Sequence, residues 1–496
     1  SRGLGDVYKR QGAARRAKAR RRRDASSAGA ARQRQLWQLE KQFIRSKAYA
    51  ERALDRMNCF SSCHNCRWRA APALLASLRR LAFALLAAPV MACGGPSTDS
   101  TGSEAPPEYE LIYRVTPQPS RAGAAVELEL RQSGKLLHEV RFRAPSPRFS
   151  DFAGDGEVHR DGDRLHWVPP AEGGKLRWQV AVPHQRNGNG HDAWLAEDWG
   201  LFRAEDIIPG ASTRTARGAR SVTRLAFDLP DDWSVITQYA KEEGLFVVQR
   251  GKRRFKQPKG WIVMGELGVR RDDIAGIHVT VAGPVDNRVR RLDILALLNW
   301  TLPELARIVA DLPPRITIVS AGQPMWRGGL SAPYSLYIHA DRPLLSENGT
   351  STLLHEIMHI ALDFETDHAH DWIVEGLAEY YSLELLRRTG TISRPRYDRA
   401  RRAQQKWART SDTLCGGPSS GATTAKAVSV FLELDREIRR KTGGSKNLDD
   451  LVVAIVAEHG KLDLDVLVRL VHGLIGENPD ALHINKLPGC RKMAQP

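Results

Sequence analysis

The sequence predicts an α+β multidomain protein: an N-terminal antiparallel β-sandwich-like domain followed by a mainly helical domain. Three observations carry this. Across residues 109–284 the apolar side chains recur with period two; from about residue 291 they recur at helical spacing; and clusters of Gly, Pro, Asn and Asp separate the period-two runs. The 496 residues suffice for two or three domains with sizeable cores.

The alternation is plainest in two runs. Val126, Leu128 and Leu130 interleave with Glu127, Glu129 and Arg131, and Leu176, Trp178, Val180 and Val182 with Arg177, Gln179 and Ala181. Successive side chains of a strand point to opposite faces, so this pattern gives strands with one buried and one wet face. Asn187, Gly188, Asn189 and Gly190 mark a turn. The region 108–285 holds no constellation of catalytic residue types and reads as a β-sandwich that supports or presents a substrate.

Charge excludes one function class. The chain has 74 Lys+Arg against 57 Asp+Glu, yet residues 1–92 hold 21 of the basic and 5 of the acidic side chains, leaving 53 and 52 for the other 404 residues. A surface built for phosphates would belong to the folded part. No nucleic-acid partner is expected.

Residues 1–56 read as a non-native or disordered basic extension, with Met57 as a plausible start, and stay outside the fold argument. Arg79 and Arg80 then precede a short apolar run at 81–89 and the small residues before Cys93, the pattern of a secretion signal at 57–92 rather than a membrane span. Val90-Met91-Ala92-Cys93 resembles a bacterial lipobox, which implies a lipid anchor on Cys93, and Gly94 after it implies an exported protein on the outer membrane facing the periplasm. Residues 93–107 are a flexible tether by composition. Export leaves Cys415 and Cys490 as the pair beyond Cys93, and they are expected to form a disulfide that pins the C-terminus.

Near Arg291 the period changes. Leu292, Leu295, Leu298, Leu302, Leu305 and Ile308 fit a helix that Pro313 and Pro314 end. Residues 315–319 read as a buried strand and 335–340 as a second. Asn348 and Gly349 mark a turn, after which Thr350 or Ser351 caps the next helix.

That helix carries His355-Glu356-Ile357-Met358-His359. At 3.6 residues per turn both His leave one face, one turn apart, and their ring nitrogens can reach one cation. Glu356 lies between them, angled to take a proton from a water that such a cation activates. With 15 His in 496 residues, chance supplies this pattern in about 0.03 of such chains. Glu375 follows at the head of a second amphipathic helix started by Asp371, and completes a set of two His and one Glu with one position open. Glu379 shares the face of Glu375 and is placed to accept a hydrogen bond from the far nitrogen of His355. Two exposed carboxylates at that spacing repel mildly, which argues that each has a task. The implied cofactor is one Zn2+ per chain.

His355-Glu356-x-x-His359 with Glu375-Gly376-x-x-Glu379-Tyr380-Tyr381 resembles the gluzincin peptidases, whose type case is thermolysin, and within them is most similar to the glycyl aminopeptidase family. The resemblance is strongest at 350–382. It implies a thermolysin-like, mainly helical catalytic domain at 286–445, Zn2+ held by His355, His359 and Glu375, and Glu356 as general base for peptide hydrolysis. The 335–340 strand sits where related enzymes have the edge strand that pairs with substrate backbone. Metzincin spacing is excluded, because Leu362 and Glu365 stand where that pattern needs Gly and His.

One departure bears on turnover. The family has a Tyr-x-Lys-Gly segment whose Tyr donates to the tetrahedral intermediate, and the best match here, Thr424-Ala425-Lys426-Ala427, puts Thr424 in its place. Losing one such donor costs roughly 10²–10³ in rate. Tyr380 and Tyr381 are left as candidate transition-state stabilisers, with Tyr397 and His459 behind them.

The expected function is a zinc metallopeptidase of the cell envelope, an aminopeptidase, acting on a peptide or protein and anchored to the membrane by its N-terminal lipid. Asp341 and Glu347 are the carboxylates available to hold a free amine. The alternative is a zinc-containing binding or scaffold lipoprotein, weak or inert in catalysis. Residues 446–496 read as two helices packed on the catalytic domain and a disulfide-pinned tail.

Overall fold

The computed structural model describes residues 106–490 apart from 189, 251, 252 and 459. The basic extension at 1–56, the signal peptide at 57–92, Cys93 and nearly all of the tether lie outside the described residues, as does His459.

The N-terminal part is β-rich, as its period requires, but is built of three sheets with seven, five and four strands. Pairing is antiparallel except where Glu108–Gln118 lies parallel to Arg220–Phe227. The alternation places the side chains as read: Val126, Leu128, Leu130, Leu176, Trp178 and Val180 share one core, while Glu127 pairs with Lys175 and Arg177 on the wet face. Gly188 lies in a turn after the strand His184–Asn187, which pairs with Gly190–Leu195.

The second part rests on a mixed five-stranded sheet. Its strands are β1 (Leu267–Ile274), β2 (Ile277–Pro284), β3 (Arg315–Ala321), β4 (Gly329–Ala332) and β5 (Ser335–His339), in the spatial order β1-β2-β3-β5-β4. Strands β2, β3 and β5 run parallel; β1 and β4 are antiparallel edges. Seven helices accompany it: α1 (Arg291–Ile308), α2 (Thr352–Leu362), α3 (Asp371–Arg388), α4 (Arg394–Ala408), α5 (Ala422–Lys441), α6 (Leu448–Glu458) and α7 (Leu464–Ile475).

Two expectations change here. The division at 285/286 cuts through packing: Ile277, Val279 and Val281 of β2 share a core with Ile294, Leu298 and Leu302 of α1, so β1 and β2 belong to the second part. That part is mainly helical all the same, since α1–α7 hold most of its residues in regular structure. The strand near 335–340 is interior, paired to β3 on one side and β4 on the other, and the free edge is β4. Strand β4 escaped the reading because Gly328-Gly329-Leu330-Ser331-Ala332 shows no alternation and little β-propensity.

The five-stranded sheet of the N-terminal part packs on this second sheet through Trp199, Trp261 and Val263 against Val319, Met325 and Tyr337. Trp261 is fully buried, and its polar atoms find partners: its backbone N–H donates to Ser335 Oγ and its indole N–H to the Leu330 carbonyl, both at 2.9 Å. This seam fixes β4. Helices α6 and α7 are present as read, and Leu451, Val452, Ile455 and Leu467 join the main core. Cys415 and Cys490 are disulfide-bonded.

Candidate metal centre

Helix α2 begins where Ser351 accepts the Leu354 N–H. Its apolar face, with Leu354, Ile357 and Met358, is buried in the core, which turns His355 and His359 outward towards α3. Helix α3 begins at Asp371, and Gly376 lets it lie close to α5: a β-carbon there would stand 2.6 Å from that of Ala427 and 2.9 Å from the Phe431 ring. The Gly of Glu-Gly-x-x-Glu thus has a packing reason, and it sets Glu375 opposite the two imidazoles.

The Nε2 atoms of His355 and His359 are 3.1 Å apart. Glu375 reaches His355 Nε2 through Oε2 and His359 Nε2 through Oε1, each at 3.3 Å. A tetrahedral ion with bonds of about 2.1 Å has ligand–ligand edges of roughly 3.4 Å, so the triangle fits a Zn2+-sized cation. Among the described residues these three form the one His/Cys/Asp/Glu group that could hold a metal. Electrostatics agree. Burial alone would lower the His355 pKa, but hydrogen bonds to Glu375 and Glu379 outweigh it and hold the imidazole well above its usual range. Burial would likewise raise Glu375, yet His355 and His359 bring it down to about 2. The donor set favours positive charge at its centre.

Glu379 Oε2 lies 3.2 Å from His355 Nδ1, and its other oxygen accepts the side-chain amide of Gln404 from α4 at 2.7 Å. A carboxylate partner fixes which end of the amide faces it. Gln404 is 8 % exposed and its Oε1 is buried without a partner. The sequence reading missed Gln404, since nothing in the pattern of α4 links it to the motif.

The centre opens into a cavity of about 970 Å³, walled by β4, α2, the head of α3 and the segment before α5. Glu356, 7 % exposed, lines it together with His355, His359, Glu375 and Glu379. Of the proposed substitutes for the missing tyrosine, Tyr380 and Tyr381 do not: both are buried on the far face of α3, and the Tyr381 hydroxyl donates to Asp449 at 2.8 Å. That expectation is corrected, because residues one and two after Glu379 point away from its face. Tyr397 is likewise buried and donates to Glu384. Thr424 does line the cavity, hydrogen-bonded to Ser419 Oγ at 3.2 Å. The tyrosine among the described lining residues is Tyr334, at the turn between β4 and β5, with a φ of 55° unusual for a non-glycine. Asp341 and Glu347 are not in the wall; Asp363 and Asp371 are. From the N-terminal part, Arg186 reaches the rim, a residue to which the sequence assigns no role.

No family model matches the sequence, and no curated relative matches it. By structure the chain is similar to an aminopeptidase N family protein from Idiomarina loihiensis, at 14% identity and a TM-score of 0.59 over 76% of each chain. It is also similar to yeast LTA4 hydrolase, at 12% identity and a TM-score of 0.48 over 78% of this chain and 68% of that one. At such identities the likeness is one of fold. The described residues share the fold of an aminopeptidase N family protein and carry a His/His/Glu group fit for a metal ion.

Proposed function

We propose that this protein is a zinc-dependent peptidase, nearest in kind to the glycyl aminopeptidases among the gluzincins. The observation that supports this most is the conjunction at one wall: three convergent ligand atoms, a buried carboxylate beside them, and an open strand edge across the cavity. Zn2+, when bound, supplies a Lewis acid for the scissile carbonyl and lowers the pKa of water. The chain's own residues do the rest. Glu379, steadied by Gln404, keeps His355 turned with Nε2 towards the centre. Glu356 removes a proton from the attacking water as the C–O bond forms, then delivers it to the amine as the C–N bond breaks.

Substrate backbone is proposed to add to β4. The Gly328 carbonyl accepts the His339 N–H at 3.0 Å, so by antiparallel alternation the N–H and C=O groups of Gly329 and Ser331 face the open edge. Asp341 and Glu347 are outside the wall, and Asp371 and Asp363 are the carboxylates beyond the metal centre that line it. Removing zinc with a chelator is expected to abolish peptide hydrolysis and adding zinc back to restore it; activity that survives chelation would sink the proposal. Product masses from a peptide pool distinguish trimming from internal cutting.

A second reading, an inert zinc-containing scaffold, draws on Thr424, whose short hydroxyl is engaged with Ser419 where the family has a tyrosine. We also propose export and a lipid anchor on Cys93, on the strength of the apolar run after Arg79 and Arg80. A native N-terminus that starts elsewhere than at a lipidated Cys93 would remove that part.

A further inference from the structure

The charged groups of the cavity wall that do not serve the metal centre are sorted by sign along α2. Near its first turn stand three guanidinium groups. Arg342 donates to Thr352 Oγ1 at 3.1 Å while its Nε is buried with no hydrogen-bond partner. Arg327, which immediately precedes Gly328, is exposed, and neither it nor Arg342 forms an ion pair among the described residues. Arg186 stacks its guanidinium 4.6 Å over the ring of Trp326, with Asp192 no nearer than 3.8 Å. The Trp326 ring in turn lies against Gly328, where a β-carbon would stand 2.0 Å from it. A guanidinium held on an aromatic face loses little freedom when it takes a planar anion. The acidic groups, Asp363 and Asp371, lie beyond the other end of α2, whose 11 residues span about 16 Å.

We infer that the end of the cavity at Arg327 and Arg186 is a carboxylate site, and that the substrate is a peptide carrying a carboxylate about two residues beyond the bond to be cut. This rests on the peptidase reading above and adds its substrate class. The position follows from the strand. Gly329 lies against Glu356, and Arg327 stands two residues before it, roughly 7 Å along an extended chain. A peptide that adds antiparallel to β4 runs its C-terminal side towards Arg327 and its N-terminal side towards Asp363 and Asp371. The sign of each end then matches the wall it meets. The carboxylate belongs either to a free C-terminus or to an Asp or Glu side chain.

The test uses matched peptides with the zinc-loaded full chain. One pair has a free C-terminal carboxylate or a carboxamide two residues past the cut; the other, amidated throughout, has Glu or Gln there. We expect kcat/KM to favour the carboxylate by about tenfold in one pair or both, which identifies the source. Arg327→Gln should bring that ratio near one, and Arg327→Glu should reverse it. Both positions are exposed, so folding is not at stake. Equal rates within both pairs, or a ratio that survives Arg327→Gln and Arg186→Gln together, overturn the inference. The same peptides are titrated into the Glu356→Gln protein by calorimetry, where about tenfold tighter binding of the carboxylate member is expected. A protein that hydrolyses nothing fails the peptidase reading; one that binds both members of each pair equally, or neither, fails this one.

Discussion

Gly329 on β4 lies directly against Glu356 on α2. A β-carbon at 329 would stand 2.9 Å from Glu356 Cγ, 3.0 Å from its Oε1 and 2.7 Å from Thr352 Cγ2. The strand edge proposed to take a peptide and the carboxylate proposed to move the proton are therefore positioned by one contact. Gly329→Ala is expected to lower kcat by roughly 10–100-fold through displacement of the carboxylate. Zinc content and melting temperature should stay close to wild type, because the tips of Thr352 and Glu356 can yield. An unchanged kcat would show that the contact is slack.

Gln404 is the outermost member of the chain that runs through Glu379 to His355. Gln404→Leu leaves Glu379 short of a donor, and zinc affinity measured by chelator competition should fall by about tenfold. Gln404→Glu sets two carboxylates face to face and should cost more. Equal affinity in all three proteins would assign Gln404 to packing alone.

The bond between Cys415 and Cys490 closes a sequence separation of 75. It anchors the segment that leads to Ser419, whose N–H donates to Asp371 at 2.7 Å at the cavity wall. Replacing both cysteines by serine should cost roughly 2–5 kcal/mol and raise KM as the wall loosens. A double variant that melts like the wild type under oxidising conditions would contradict the role given to the bond.

His339 gives a pH dependence. It is 1% exposed; its Nδ1 accepts the Asp341 N–H at 3.1 Å, which leaves the proton on a buried Nε2 with no acceptor. Burial lowers its pKa below the ordinary 6.5, with Asp341 opposing and Arg327 and Arg342 adding to the shift. The unfolded chain therefore takes up this proton at higher pH than the folded one. Stability from this group is intact above about pH 6.5 and declines as pH falls below it. Thermal midpoints of wild type and His339→Gln, compared from pH 7.5 to 5, should show the shallower fall in the variant. Parallel curves would remove His339 from the acid sensitivity.

The metal triangle was legible because helical spacing fixes which side chains share a face. His355, His359, Glu375 and Glu379 needed only the period of α2 and α3. The same geometry read one step further would have turned Tyr380 and Tyr381 away from the centre. What stayed hidden was set by tertiary pairing. Strand β4 carries no apolar alternation, and its place at the edge follows from how β5 pairs with β3. Gln404, Arg186 and Tyr334 reach the cavity from elements whose sequences say nothing of it. The division near 285 failed because β1 and β2 keep the period of the preceding strands while packing on α1.

The most direct measurement is hydrolysis of a mixed peptide pool by the zinc-loaded protein beside its Glu356→Gln twin, with zinc content determined for both. The account predicts one zinc per chain in each and cleavage by the wild type alone. Cleavage by the twin at the wild-type rate would contradict the role of Glu356. Full zinc occupancy with no cleavage by either protein would contradict the enzyme and leave Thr424 as the residue that explains an inert scaffold.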